Sequence, residues 1–262
     1  MQIGRHKLSL CKYGWMLHHG PYIGKCFELY GQYSESEVNV IRTFVKPGDT
    51  ALDIGANIGD LTLPMSRFAG PAGRVHAFES HTANYQVLCA NLALNDIQNV
   101  KPLNCFIANS PDVDTAGPWG QFGYVSEIWG APVISVDSLN IPSCAFIKVD
   151  VDGKELEVLK SASGLIERCR PILYFENDDQ AASPPLLEYV MGQNYDLYWH
   201  PAPIFSAVNF FGNPVNHWRP ENIMSFMILG IPGDRREQFT IQLKPVTHKD
   251  QWWNSPAADH PG

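Results

Sequence analysis

The sequence lacks the features that would tie it to a metal, a membrane or a polyanion. Its six cysteines (Cys11, Cys26, Cys89, Cys105, Cys144 and Cys169) include no CxxC pair, and no histidine cluster completes a zinc pattern. Spread through apolar stretches, they read as buried free thiols of a reducing compartment rather than as a disulfide framework. No apolar run is long enough to span a bilayer. The opening Met1-Gln2-Ile3-Gly4-Arg5 lacks the apolar core of a signal peptide. Basic charge is scarce: 19 Lys and Arg stand against 27 Asp and Glu, a formal net charge of −8. Without a basic run to neutralise phosphates, nucleic acid is not an expected partner. These absences imply a soluble, cytoplasmic protein.

What is present is a chain of 262 residues, 45% hydrophobic, enough to bury one sizeable core. Ser34 offers an N-cap, with Glu35 and Glu37 in the first turn of a helix whose apolar face is Val38, Ile41, Phe44 and Val45. Pro47-Gly48-Asp49 ends it. Strands are then expected over Thr50–Ile54, Arg74–Phe78, Val100–Ile107, Ala145–Val149 and Pro171–Phe175, with helices over Ile58–Phe68, from about Thr82 to Leu94, and over Lys154–Ala162 and Pro185–Met191. Two further strands are expected at Asp196–Trp199 and Ile223–Leu229. Strands separated by helices imply right-handed βαβ units wound on both faces of a parallel sheet. Residues 109–131 interrupt the alternation with Pro- and Gly-framed aromatics (Trp119, Phe122, Tyr124 and Trp129), as a lid would.

Open α/β sheets bind ligands beyond the carboxyl ends of their strands. The first strand ends in Asp53-Ile54-Gly55-Ala56-Asn57-Ile58-Gly59, a turn whose glycines let backbone approach a ligand closely. Glu79 closes the second strand, twenty positions after Gly59, where an acid can accept both hydroxyls of a ribose. The pair points to an adenosine-containing ligand far better than either feature does alone. A dinucleotide would want GxGxxG, but Asn57 and Asp60 replace its second and third glycines, and Asp60 would repel a pyrophosphate. S-adenosylmethionine carries a sulfonium, an ammonium and one carboxylate, which suits a loop bearing Asp53 and Asn57. A P-loop is excluded because no Gly-Lys-Ser/Thr follows.

The run Pro47-Gly48-Asp49-Thr50-Ala51-Leu52-Asp53-Ile54-Gly55-Ala56-Asn57-Ile58-Gly59, followed by Gly73-Arg74-Val75-His76-Ala77-Phe78-Glu79, resembles the FkbM-type methyltransferases. Asn91-Leu92-Ala93-Leu94-Asn95, Ile147-Lys148-Val149-Asp150-Val151-Asp152-Gly153-Lys154-Glu155 and Leu173-Tyr174-Phe175-Glu176-Asn177-Asp178 extend the resemblance, which covers roughly residues 20–232. It implies a doubly wound, Rossmann-like class I methyltransferase fold: a seven-stranded, mostly parallel sheet with a C-terminal antiparallel hairpin. It divides the chain into a cap over 1–33, a methyltransferase domain over 34–232 and a tail over 233–262. Three departures stand out: Asp152 for the usual Glu, Ser80 for the proline after the ribose acid, and Met227 for an asparagine of the last strand.

The resemblance also implies S-adenosylmethionine as cofactor and methyl transfer to a hydroxyl of a sugar, glycan or secondary metabolite. An N-methyltransferase acting on a peptide or amine, and a catalytically silent cofactor-binding module, remain alternatives. Cofactor contacts are expected from Asp53, Gly55, Asn57, Gly59, Glu79, Ser80, Asn109 and Asp150. Methyl transfer is an in-line displacement that mainly needs alignment, plus a base for the hydroxyl proton. Asp150 and Glu176, at neighbouring strand ends, are the candidates to orient or deprotonate the acceptor, with His200 behind them. Lys148 is either part of that machinery or an ion-pair brace for Asp150. Glu155 is read as serving its helix's first turn. No metal ligands are assigned, although Asp150, Glu176 and Asn177 could together hold Mg²⁺. The acceptor pocket is expected from 1–33, 109–131 and 200–222.

Overall fold

A computed structural model describes residues 1–109, 131–219 and 223–255. The lid expected over 109–131 lies almost wholly outside the described residues. The chain opens with a three-stranded antiparallel sheet, β1 (Gln2–Ile3), β2 (His6–Cys11) and β3 (Gly14–His18), then α1 (Ile23–Tyr30) and α2 (Glu35–Phe44). The alternating part follows as β4 (Thr50–Ile54), α3 (Thr62–Ala69), β5 (Arg74–Glu79), α4 (Thr82–Leu94) and β6 (Val100–Asn104). A two-stranded ladder, β7 (Phe106–Ile107) with β8 (Val133–Ile134), stands apart from the main sheet. The chain continues through β9 (Phe146–Val149), α5 (Glu155–Ser161), α6 (Ser163–Cys169), β10 (Ile172–Glu176), α7 (Ser183–Gly192), β11 (Tyr195–Pro203), β12 (Met224–Pro232) and β13 (Lys244–Val246).

The main sheet runs β13-β11-β12-β10-β9-β4-β5-β6, parallel from β10 to β6 and antiparallel at β12, β11 and β13. The doubly wound architecture and the antiparallel hairpin β11–β12 are as expected. The sheet has eight strands rather than seven, because the tail returns as β13 along β11. A three-residue strand holding one proline carries almost no periodic signal. The segment 1–33 contains a helix, α1, as well as strands, and the expected strand 100–107 divides at Cys105 into β6 and β7. Among the described residues all six cysteines are free, and no helix is long and apolar enough to cross a membrane.

Pleating sends alternate residues to opposite faces, and each face has its own core. Ala51, Phe146, Ile172, Tyr174 and Met227 pack against Val38 and Ile41 of α2 and Met65 of α3. Leu52, Ile147, Leu173 and Trp199 pack against Val158, Leu165 and Leu187 of the helices opposite. Each such side chain contributes about 1.5–3 kcal/mol on leaving water. Asp53, Lys148 and Glu176 fall on the α2–α3 face by the same register.

The N-terminal sheet is docked by two asparagines, Asn91 of α4 and Asn95 at its C-cap. Leu17 N donates to Asn91 Oδ1 (2.6 Å) and Asn91 Nδ2 donates to Leu17 O (3.0 Å), while Trp15 and Asn95 repeat the exchange at 2.8 and 2.7 Å. Four residues of helix rise about 6 Å and two of strand about 6.6 Å, so the spacings match. Asn91 Nδ2 also donates to Ile58 O of the glycine turn (2.8 Å).

Candidate active site

The turn after β4 is held by backbone. Gly55 N and Ala56 N both donate to Phe78 O at 2.9 Å, and Asn57 (φ 47°) and Gly55 (φ 81°) adopt left-handed conformations. A Cβ on Gly55 would lie 1.8 Å from the carbonyl oxygen of Asp150, so the ends of β4 and β9 meet here with no room for a side chain. Glu79 ends β5 and is nearly buried; its Oε1 accepts from His81 N (2.7 Å) and its Oε2 from Asn57 N (2.8 Å). Each oxygen keeps a second lone pair, the acceptor set a ribose diol requires. Asn104 Nδ2 donates to Glu79 O (2.8 Å) and Ser80 O (3.2 Å), fixing the strand end. Asn109 is exposed, just past β7.

Lys148 is the centre of the site. Its buried ammonium donates to Gly55 O (2.7 Å) and lies 3.3 Å from Asp53 Oδ1 and 3.6 Å from Asp150 Oδ2. Burial works against its charge, but Asp53, Asp150, Asp60 and Glu37 outweigh that and raise its pKa above the ordinary lysine value. A lysine so surrounded stays a cation and braces β4 against β9. Asp53 is fully buried, and its Oδ2 accepts from Thr62 Oγ1 at 2.5 Å.

Carboxylates exceed cations here. Burial pushes Asp60 up to about 8, and its Oδ1 is buried with no hydrogen-bond partner among the described residues. Burial likewise raises Glu37 and Glu79 to about 7. Glu176 is raised well above the carboxylate range, first by burial and then by Asp150 and Asp178. No described residue hydrogen-bonds its carboxylate. Glu155 does structural work, as expected: its Oε1 accepts from Val151 N (3.1 Å) and Gly153 N (3.2 Å), closing the turn after β9.

The register joins Asp53, Lys148 and Asp150 directly and puts Glu176 on the next strand end. Glu79 stands across β4 from them, one strand beyond on the other side. His200 sits two strands from Glu176 with Met227 between, its Nδ1 2.7 Å from the Tyr174 hydroxyl. Burial lowers His200 to about 4, so it is neutral at pH 7. Asn177 Nδ2 donates to Ser183 Oγ (2.9 Å), and no described group of three or more His, Cys, Asp or Glu is arranged to hold a metal ion.

Sequence reasoning missed Glu37 and Asp60 as members of the site. Glu37 was legible: it lies within the apolar stripe of α2, one residue before Val38 and four before Ile41, where an acid has no business unless partnered.

These acids set a pH dependence. A carboxyl whose folded pKa is raised stabilises the fold only below its unfolded pKa, and that stability is lost as pH rises through the folded value. With Glu37, Glu79 and Glu155 near 7 and Asp60 near 8, the loss falls between about pH 5 and 8.5. Thermal denaturation of the ligand-free protein should show its midpoint falling across that interval. A midpoint that is flat or rising there contradicts the buried acid cluster.

The fold is that of the class I S-adenosylmethionine-dependent methyltransferases. A SAM-dependent O-methyltransferase from Thermotoga maritima superposes with a TM-score of 0.50 at 12% identity, over 86% of this chain and 77% of that one. Residues 53–196, more than half the chain, match the model of the methyltransferase FkbM domain, and the chain belongs to that family. The chain is also 45% identical over 60 residues to methyltransferase sdnD of Sordaria araneosa, covering 22% of this chain and 23% of that protein. It is 26% identical over 115 residues to a tRNA (adenine(58)-N(1))-methyltransferase catalytic subunit of Yarrowia lipolytica, covering 39% of this chain and 30% of that protein. The chain spans less than a third of the length of the curated relatives it matches.

Proposed function

We propose that this protein transfers a methyl group from S-adenosylmethionine to a hydroxyl of a sugar, glycan or secondary metabolite. One observation carries the donor assignment: at least four carboxylates surround a single lysine at the strand ends, and buried oxygens of Asp60 and Glu37 have no hydrogen-bond partner among the described residues. Such a crevice is incomplete without a cation, and the donor brings an ammonium and a sulfonium. Glu79 would hold the ribose, and Gly55, Asn57, Gly59, Ser80 and Asn109 would frame the rest. Asp53 would face the ammonium end. When bound, the donor supplies an activated methyl group. Glu176, with no hydrogen bond to its carboxylate among the described residues and a raised pKa, is suited to take the hydroxyl proton, Asp150 to orient the acceptor, and Lys148 to keep the two strand ends in register. In this reading residues 34–232 are the transferase unit, flanked by the cap and tail.

The similarity to a tRNA methyltransferase subunit favours a second reading, transfer to an RNA base. The acidic rim of Asp150, Asp152, Glu176 and Asp178 opposes a polyphosphate backbone. Methyl-labelled donor supplied with hydroxylated glycans and metabolites, and separately with tRNA, decides between them. Label is expected in the former, and label in tRNA would overturn the hydroxyl assignment. Calorimetry should show Glu79→Ala weakening donor affinity by about 10- to 100-fold, the loss of one or two charge-assisted hydrogen bonds. Unaltered affinity would refute the ribose assignment.

A further inference from the structure

One acid of the site, Glu37, comes before the glycine turn in sequence and lies outside the segment matched by the family model. It is 1% exposed, in the first turn of α2, and its Oε2 is buried without a hydrogen-bond partner among the described residues. Charged and titratable groups face it from every side. Lys148 comes from β9 and Asp150 from the turn just after it, Tyr174 from β10 and Tyr33 from the link between α1 and α2, while Asp60 lies across Lys148. The hydroxyls of Ser34 and Ser225 lie beside its carboxyl. Ser225 belongs to β12, so Glu37 stands on the β10–β12 side of Lys148, opposite Glu79.

That placement has a consequence if, as proposed above, Glu79 holds the ribose and the β4 turn the adjoining part of the donor. The reactive sulfur would then lie on the β9–β10 side of the crevice, the side on which Glu37 stands. We propose that Glu37 reads the charge on the donor's sulfur, favouring the sulfonium of S-adenosylmethionine over the neutral thioether of its demethylated product. The physical basis is the cost of an ionised carboxylate in a dry site, which a nearby cation offsets and a thioether does not. After transfer the sulfur is neutral, Glu37 loses its counter-charge, and the product is held less tightly. Burial, reinforced by Asp150 and partly offset by the two serines and Lys148, raises the Glu37 carboxyl to about 7. The discrimination therefore grows as pH rises through neutrality.

Calorimetric titration of the full chain with S-adenosylmethionine and with S-adenosylhomocysteine tests this. In Glu37→Gln the Kd for S-adenosylmethionine should rise about tenfold, with that for S-adenosylhomocysteine changed less than about twofold. Retained product affinity also shows that the variant is folded. Equal loss of both ligands, or no change in either, overturns the proposal. A second measurement needs no substitution: in the unsubstituted protein the preference for the charged ligand should increase from pH 6 to pH 8.5. Comparing two ligands cancels the titration of Glu79 on the ribose they share. A flat preference overturns the assignment. Failure of the unsubstituted protein to bind either ligand would instead refute the donor reading, a separate outcome.

Discussion

Gly55→Ala is expected to destabilise the protein by about 3–5 kcal/mol and to abolish measurable donor binding. Two costs add. At φ 81° an alanine gives up about 1 kcal/mol or more for the left-handed conformation. Its Cβ would also meet the Asp150 carbonyl oxygen at 1.8 Å and carbon at 2.9 Å. These are backbone atoms of a strand end held to β4 by Asp150 N donating to Ile54 O at 3.0 Å, so they cannot swing aside. Relief would require separating β4 from β9, which pulls the Lys148 ammonium off Gly55 O. Gly153→Ala is the matched control: its φ is 89°, but nothing lies within 4 Å of its Cβ, so only the conformational cost applies. Urea denaturation of both variants separates the terms. Equal losses at the two positions would show that the strand ends do not pack as described.

Lys148→Met should cost about 3–5 kcal/mol at pH 7.5, because it removes the one ammonium that Asp53, Asp150, Asp60 and Glu37 share. Methionine keeps most of the volume, so the loss is electrostatic rather than a cavity. The sign of the pH response follows. With the cation gone, the carboxylates can be neutralised only by protons, so the variant should regain much of its stability between pH 7.5 and 5.5. Denaturation midpoints at both values check this. A variant as stable as the parent at pH 7.5 would mean that Lys148 does not brace the site.

Much of this was legible in the sequence, for identifiable reasons. The helix at about Thr82 to Leu94 and the strand β4 are both legible, because Gly, Pro and Asn bound them and their apolar patterns are regular. Asp53, Lys148, Asp150, Glu176 and Glu79 could be placed together because strand ends in such a sheet converge on one crevice. The docking of the N-terminal strands could not be read. It depends on Asn91 and Asn95 meeting Leu17 and Trp15, a match between helix rise and strand rise that exists only once the elements are apposed. Ser34 was read as a capping side chain, but it takes the N-cap position in a left-handed conformation (φ 35°) and its hydroxyl caps nothing. Glu37 and Asp60 went unassigned because an acid's burial is a property of the packed face, visible in sequence only as a charge where an apolar residue belongs.

The returning tail changes what the sheet presents to other molecules. β13 pairs with β11 through Leu197 and Val246, Trp252 packs edge-on against Trp199 with ring centres 5.2 Å apart, and Trp253 lies 4.8 Å from Phe226. Without that ribbon β11, nine residues long, would offer a row of unpaired amides and carbonyls beside two uncovered aromatics. Such an edge is a template for a strand of another chain. A chain cut before Lys244 would keep every residue of the candidate site and yet be prone to self-association, so its solubility would fail before its chemistry did.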